Sequence, residues 1–101
     1  MKNIYTGNNV VITGEVNLSE DVSIWHNAVL RGDEGYITIG SRTNIQDLVM
    51  IHTGMPDYSV TIGHDTIIGG NVWLTQDVPP YSRILQQKAV QSPFFSDGAG
   101  I

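Results

Sequence analysis

Three histidines and a small polar group are the residues of this chain whose types could do chemistry. The histidines are His26, His52 and His64, and the polar group is Arg31, Asp33, Gln46 and Asp47. A histidine can ligate a metal or act as a general base. An arginine and a carboxylate can form a bidentate, directional pair held between subunits. There is no cysteine, so no disulfide frame and no thiolate metal site exists. No Ser–His–Asp or Cys–His arrangement is visible either. His26 follows Trp25 and reads as a surface turn residue, while Tyr36, Tyr58 and Trp73 flank corners and loops and receive no role.

The elements that must position these residues are set by a six-residue beat. Aliphatic residues recur at Ile12, Leu18, Ile24 and Leu30, at Ile39, Ile45 and Ile51, and at Ile62, Ile68 and Leu74. Four residues after most of them stands a small or β-branched residue: Val16, Val22, Ala28, Thr43, Val49, Thr66, Val72 and Val78. A helical period of 3.6 does not generate this spacing, whereas a hexapeptide repeat does, with three short strands closing each triangular coil. The spacing predicts an all-β chain, a short left-handed parallel β-helix of three to four coils. The beat slips at Glu34-Gly35-Tyr36 and again between Ile51 and Ile62, where Gly54 to Ser59 reads as a loop extruded from a corner. Gly, Asp and Asn at Gly14, Gly32-Asp33, Gly40, Gly63 and Gly69-Gly70-Asn71 are expected at corners that need positive φ. Pro79 and Pro80 each lack a ladder donor, so regular pairing is expected to end there. Residues 1–82 thus form the β-helix, and residues 83–101 form a C-terminal segment, a strand or a short helix, with an extended tail.

Composition narrows the partners. The repeat region is roughly 70 residues, too few to bury a large core, so self-association is the natural supplement. Ten Asp+Glu against five Lys+Arg give a formal net charge of −5, which disfavours nucleic acid and anionic membranes as partners. The start lacks the apolar core of a signal peptide and no run approaches a membrane span, so a cytoplasmic location is the expectation.

The stretch Ser23-Ile24-Trp25-His26-Asn27-Ala28-Val29-Leu30-Arg31-Gly32-Asp33 is followed by Ile39-Gly40-Ser41-Arg42-Thr43-Asn44-Ile45-Gln46-Asp47 and by Ile51-His52-Thr53. In this order and spacing, residues 10–65 resemble the first half of the γ-class carbonic anhydrases. The resemblance implies a trimer with zinc or a related metal bound between subunits. It implies that Arg31 and Asp47 pair across the interface, that Asp33 supports them, that Gln46 lies beside metal-bound water, and that His52 is the first metal ligand. The family's two further ligand places fall at Gly70 and Thr75, where both histidines are missing. A catalytic zinc needs three protein ligands and one open position. His64, the nearby substitute, stands in the wrong hexad, so the resemblance implies an incomplete metal site.

The second half differs. Residues 66–82, with Ile68-Gly69-Gly70-Asn71-Val72-Trp73-Leu74-Thr75 and Val78-Pro79-Pro80-Tyr81-Ser82, resemble the closing coil of bacterial serine acetyltransferases, as does the tail Asp97-Gly98-Ala99-Gly100-Ile101. In that family a terminal isoleucine carboxylate enters the active site of O-acetylserine sulfhydrylase. Asp97, Gly98, Gly100 and Ile101 are accordingly expected to be partner-binding, the carboxylate captured by backbone donors. The expected function is that of a trimeric structural or binding protein of the hexapeptide-repeat superfamily. The alternative is an acyl-CoA-dependent acyltransferase with His52 or His64 as base, and behind it a metal-dependent carbonic anhydrase using His52 and Gln46. No resident cofactor is expected; zinc belongs to the anhydrase reading and acetyl-CoA to the transferase reading.

Overall fold

The computed structural model describes residues 2–54 and 58–94, and among them there is no helix. The strands are β1 (Ile4–Thr6), β2 (Val11–Leu18), β3 (Val22–Ile24), β4 (Val29–Ile39), β5 (Asn44–Ile45), β6 (Met50–His52), β7 (Val60–Ile62), β8 (Ile67–Ile68), β9 (Trp73–Leu74) and β10 (Arg83–Ile84). All pairing is parallel, and the order β1-β3-β5-β8-β10 stacks five strands on one side of the molecule. A second side is built by the first half of β2, the first half of β4, β6 and β9. The third side comes from the second halves of β2 and β4, β7 and a bridge from Ile62 to Val78. This is a parallel β-solenoid that matches the β-helix expected from the hexads.

The inward column of each side is the six-residue beat itself. Ile24 stacks on Ile45 and Ile45 on Ile68; Leu30 stacks on Ile51 and Ile51 on Leu74; Ile39 stacks on Ile62. These residues are buried together with Val22, Ala28, Val49, Val72 and Val78. Two threonines of the secondary beat are buried as well, and each satisfies its hydroxyl locally. Thr43 Oγ1 donates to the Gly63 carbonyl at 3.0 Å and Thr66 Oγ1 to the His64 carbonyl at 3.2 Å. A buried hydroxyl without such a partner would cost the core its advantage.

The corners meet the expectation at Gly14 and Asn71 and correct it at Gly32, Asp33, Gly40, Gly63, Gly69 and Gly70, which lack positive φ. Positive φ is carried mostly by residues other than glycine, in two stacked columns: Asn9, Asn27, Leu48 and Asn71 at one corner, and Asp21, Arg42, Asp65 and Tyr81 at the next. The left-handed conformation aims the corner N–H along the solenoid axis. Asn27 N–H thus donates to Asn8, Leu48 to His26, and Asn71 to Asp47. Arg42 N–H donates to Glu20, Asp65 to Ser41, and Tyr81 to His64. Gly14 does need its φ of 70°, but Gly40 does not. A Cβ on Gly40 would come within 2.5 Å of the His64 backbone nitrogen and 2.8 Å of the Gly63 carbonyl carbon, so the glycine is there for close rung-to-rung approach.

The slips also find their places. Gly14 pairs with Gly32 but Glu15 with Tyr36, so residues 33–35 are the first insertion, one residue earlier than the sequence suggested. The second lies between β6 and β7. Pairing does not end at the prolines: β10 follows them and stacks on β8, so of the segment Arg83 to Val90, left open between strand and short helix, Arg83–Ile84 form a strand and the rest is neither. Among the described residues no helix is long and apolar enough to cross a membrane. The tail residues Asp97, Gly98, Gly100 and Ile101 lie outside the described residues, as do residues 55–57 of the corner loop.

Candidate functional site

Parallel stacking turns residues some twenty apart into neighbours, and it sorts the candidate residues into three places. The first is the far end of the second side, where Thr13, Arg31 and His52 form one outward column. Thr75, the residue after the Ile51–Leu74 pair, continues that column. Arg31 Nε donates to Asp33 Oδ2 at 3.0 Å, within the chain. Thr13 first, and then Arg31, hold the Asp33 carboxyl below its usual range against a partial loss of solvation, with His52 adding a small push the same way. The His52 ring meets Trp73 edge to face, centroids 6.5 Å apart.

The second place is the corner between the first and second sides. Trp25, Asn44, Gln46, Asp47 and Gly70 line an open groove of about 450 Å³ there. Asn44 Nδ2 donates to Ser23 Oγ at 2.6 Å. Among the described residues Asp47 makes no ion pair, and it stands in the turn between β5 and β6, at the opposite end of the second side from the Arg31 column. A single chain therefore brings Arg31 to Asp33 and not to Asp47; an Arg31–Asp47 contact would have to come from a second subunit.

The same separation decides the metal question for one chain. The ligand places at 52 and 75 lie in the Arg31 column, while 70 lies in the Trp25 groove. Only position 52 carries a side chain suited to zinc, and among the described residues no group of three His, Cys, Asp or Glu could hold a metal ion. His64 is not drawn toward His52. Within one chain the described residues do not supply the three ligands around one open position that a catalytic zinc needs.

The third place was not singled out from sequence. At the second left-handed corner, Arg42 Nε and one terminal nitrogen grip both oxygens of Asp65 at 2.9 Å. His64 Nδ1 lies 2.7 Å from Asp65 Oδ2 and packs edge to face on Tyr81 at 5.0 Å. The Arg42 hydrogen bonds, and then His64, pull the Asp65 carboxyl down to about 2. The signal was present but hidden, since the 23-residue separation of Arg42 and Asp65 reflects one coil plus the loop before β7. His26 is a turn residue, as expected, and it also ties two rungs together, because its Nδ1 accepts the Asn8 N–H at 2.8 Å.

With stacked hexads on three sides, the chain is a member of the hexapeptide-repeat β-helix superfamily. More particularly, its similarity runs to carbonic anhydrases of the γ class. It is 43% identical over 75 residues to a probable carbonic anhydrase of Methanocaldococcus jannaschii, covering 68% of this chain and 46% of that protein. It is 38% identical over 71 residues to the mitochondrial gamma carbonic anhydrase 1 of Arabidopsis thaliana, covering 70% of this chain and 26% of that one. Among solved structures, Entamoeba histolytica serine acetyltransferase isoform 3 in complex with cysteine aligns at a TM-score of 0.42 and 19% identity, over 93% of this chain and 36% of that one. No protein-family model matches. The chain spans less than half the length of these curated relatives.

Proposed function

We propose that this chain is a γ-carbonic-anhydrase-like scaffold with an incomplete metal site, acting as a trimeric structural or binding protein rather than a hydratase. The observation that carries the reading is the ligand count. Of positions 52, 70 and 75, where a site shared between subunits would draw its ligands, only 52 carries a metal-binding side chain. Metal-lowered water acidity is the heart of metal-assisted hydration, and this chain lacks the residues to hold the metal. Arg31, Asp33 and Asp47 then serve an interface. Asp33 holds the Arg31 guanidinium at the outer surface of β4, from which it would meet Asp47 of a neighbouring copy. Sedimentation velocity tests this: the reading expects a species of three times the 11.1 kDa chain mass, dissociated by Asp47→Arg. A monomeric native chain overturns it. Should Ile101 end the mature chain, the tail adds a docking peptide for a sulfhydrylase. A synthetic peptide of the last residues would then compete with substrate, and one lacking Ile101 would not.

A second reading rests on His64. With Nδ1 held by Asp65 and Asp65 held by Arg42, Nε2 is available as a general base, the arrangement an acyl-CoA-dependent transferase needs. Saturable acetyl-CoA binding with turnover lost in His64→Ala would favour it.

A further inference from the structure

We propose that the outer face of the second side seats each chain against its neighbours, with its apolar column turned to the axis of the trimer; this deepens the trimeric reading above and rests on it. Stacking puts Val11, Val29, Met50 and Trp73 in one outward column of that side. Val11 is 47% exposed and Trp73 67%, while Val29 and Met50 are half-buried. The other sides differ among the described residues. The first side mixes Tyr5 and Ile67 with Ser23, Asn44 and Arg83 in its outward column, and the third side carries Asn17, Thr38 and Thr61 in one and Glu15 with Tyr36 in another. Leu48 widens the apolar surface at the adjoining corner, where it is 58% exposed. It holds a left-handed φ of 62° in a column whose other members are Asn9, Asn27 and Asn71. Leucine adopts that backbone at greater cost than asparagine, and water gives it no compensating contact. An exposed apolar strip of this kind marks a surface that is covered in the working protein.

The charges at the two ends of this face name a second copy as the occupant. Arg31 and His52 stand at one end and Asp47 at the other. Arg31 commits Nε to Asp33, and among the described residues its terminal nitrogens make no ion pair, nor does Asp47. Arg31 on β4 pairs with His52 on β6, and Asp47 precedes β6 in the same coil, so the two charges lie about one rung, roughly 4.8 Å, apart along the solenoid. Copies rotated about an axis parallel to the solenoid, with little shift along it, bring Arg31 of each toward Asp47 of the next. Such a ring closes instead of running on as a filament. Both contacts lie at the ends of one side, so the face between them turns to the axis, and the apolar column is on that face. An anionic partner such as nucleic acid does not fit it, since the flanks offer one arginine beside two carboxylates on a chain of net charge −5. Buried Trp and Met are residues that carry interface energy, whereas an ion pair at an exposed rim contributes little. The column therefore holds the ring together, and Arg31 with Asp47 sets its register.

Sedimentation velocity over a concentration series compares the full native chain with Met50→Lys, with Val11→Lys and, as the control on the third side, with Thr61→Lys. All three positions face outward, and circular dichroism checks that each variant is folded. The expected result is a native trimer, association weakened roughly tenfold or more by either column charge, recovery in Met50→Leu, and no change in Thr61→Lys. A second measurement leaves the column intact. In Trp25→Phe, Trp73 is the one indole, and acrylamide should quench it weakly in the trimer and strongly once dilution dissociates it. A trimer unmoved by both column charges, or a Trp73 quenched equally before and after dissociation, overturns the proposal and leaves the trimeric reading standing. A native monomer overturns the trimeric reading and this face with it. A dimer that Met50→Lys dissociates overturns the count of three and sustains the face.

Discussion

Gly40 gives the sharpest test of how the rungs fit together. Replacing it with alanine adds one methyl group at a position of ordinary φ, so no left-handed penalty arises. The added carbon would stand 2.5 Å from His64 N and 2.8 Å from both Gly63 C and His64 Cα. All three atoms are backbone of the next rung, whose spacing is fixed near 4.8 Å by the parallel ladder, so no side chain can swing aside. Overpacking of this kind costs about 1–3 kcal/mol, and an immovable neighbour places Gly40→Ala in the upper half of that range. For a domain of this size each kcal/mol moves Tm by about 4–8 °C, giving a fall of roughly 10–20 °C. Gly70→Ala is the matched control. Its methyl would meet only the Asp47 carbonyl, at 3.4 Å, and reduced freedom of the unfolded chain should leave stability unchanged or raised by up to about 1 kcal/mol. Both melts are followed by circular dichroism at one protein concentration, because self-association shifts Tm by mass action. Equal melting of the two variants would refute the close-approach account of these glycines.

Other outcomes follow from the same geometry. The Asp65 carboxyl is held at about 2, from an ordinary 3.8, by Arg42 and then His64. Its contribution is therefore complete above pH 3.8 and lost as pH falls through about 2; in urea titrations across that window Asp65→Asn should show a shallower decline than the native chain. Ile45→Ala, in the middle of a fully buried column, should cost about 2–5 kcal/mol by equilibrium unfolding, whereas a loss under 1 kcal/mol would mean the interior collapses around the gap. Restoring the missing ligands with Gly70→His and Thr75→His together should create stoichiometric zinc binding, measured by plasma emission, that depends on His52 and on the trimer. Failure of a trimeric double variant to hold zinc would refute the placing of positions 52, 70 and 75 in a shared inter-subunit site.

Much of the fold was legible because a hexapeptide repeat states its own geometry. Ile24, Ile45 and Ile68, read as beats of one period, are stacked neighbours in one inward column. The corners were harder, because left-handed backbone was looked for at Gly, Asp and Asn, which holds at Gly14 and Asn71 but not at Gly32 or Gly40. Arg42, Leu48 and Tyr81 adopt it instead, held by corner N–H bonds to the preceding rung that offset an intrinsic cost of about 1–2 kcal/mol. The site was legible by residue type and not by assembly. Arg31, Gln46, Asp47 and His52 could be picked out, but which of them share a corner depends on insertions of different length in successive coils. The same insertions concealed the Arg42–Asp65–His64 cluster, and they concealed that positions 52 and 70 face different corners.

Native mass spectrometry of the intact protein after incubation with excess zinc and buffer exchange is the most direct test, because it reads oligomer mass and retained metal together. The account predicts an ion of three chains with no zinc retained. Three chains carrying one zinc each would contradict the incomplete metal site and return hydratase activity to the front, and a single-chain ion would contradict the trimer.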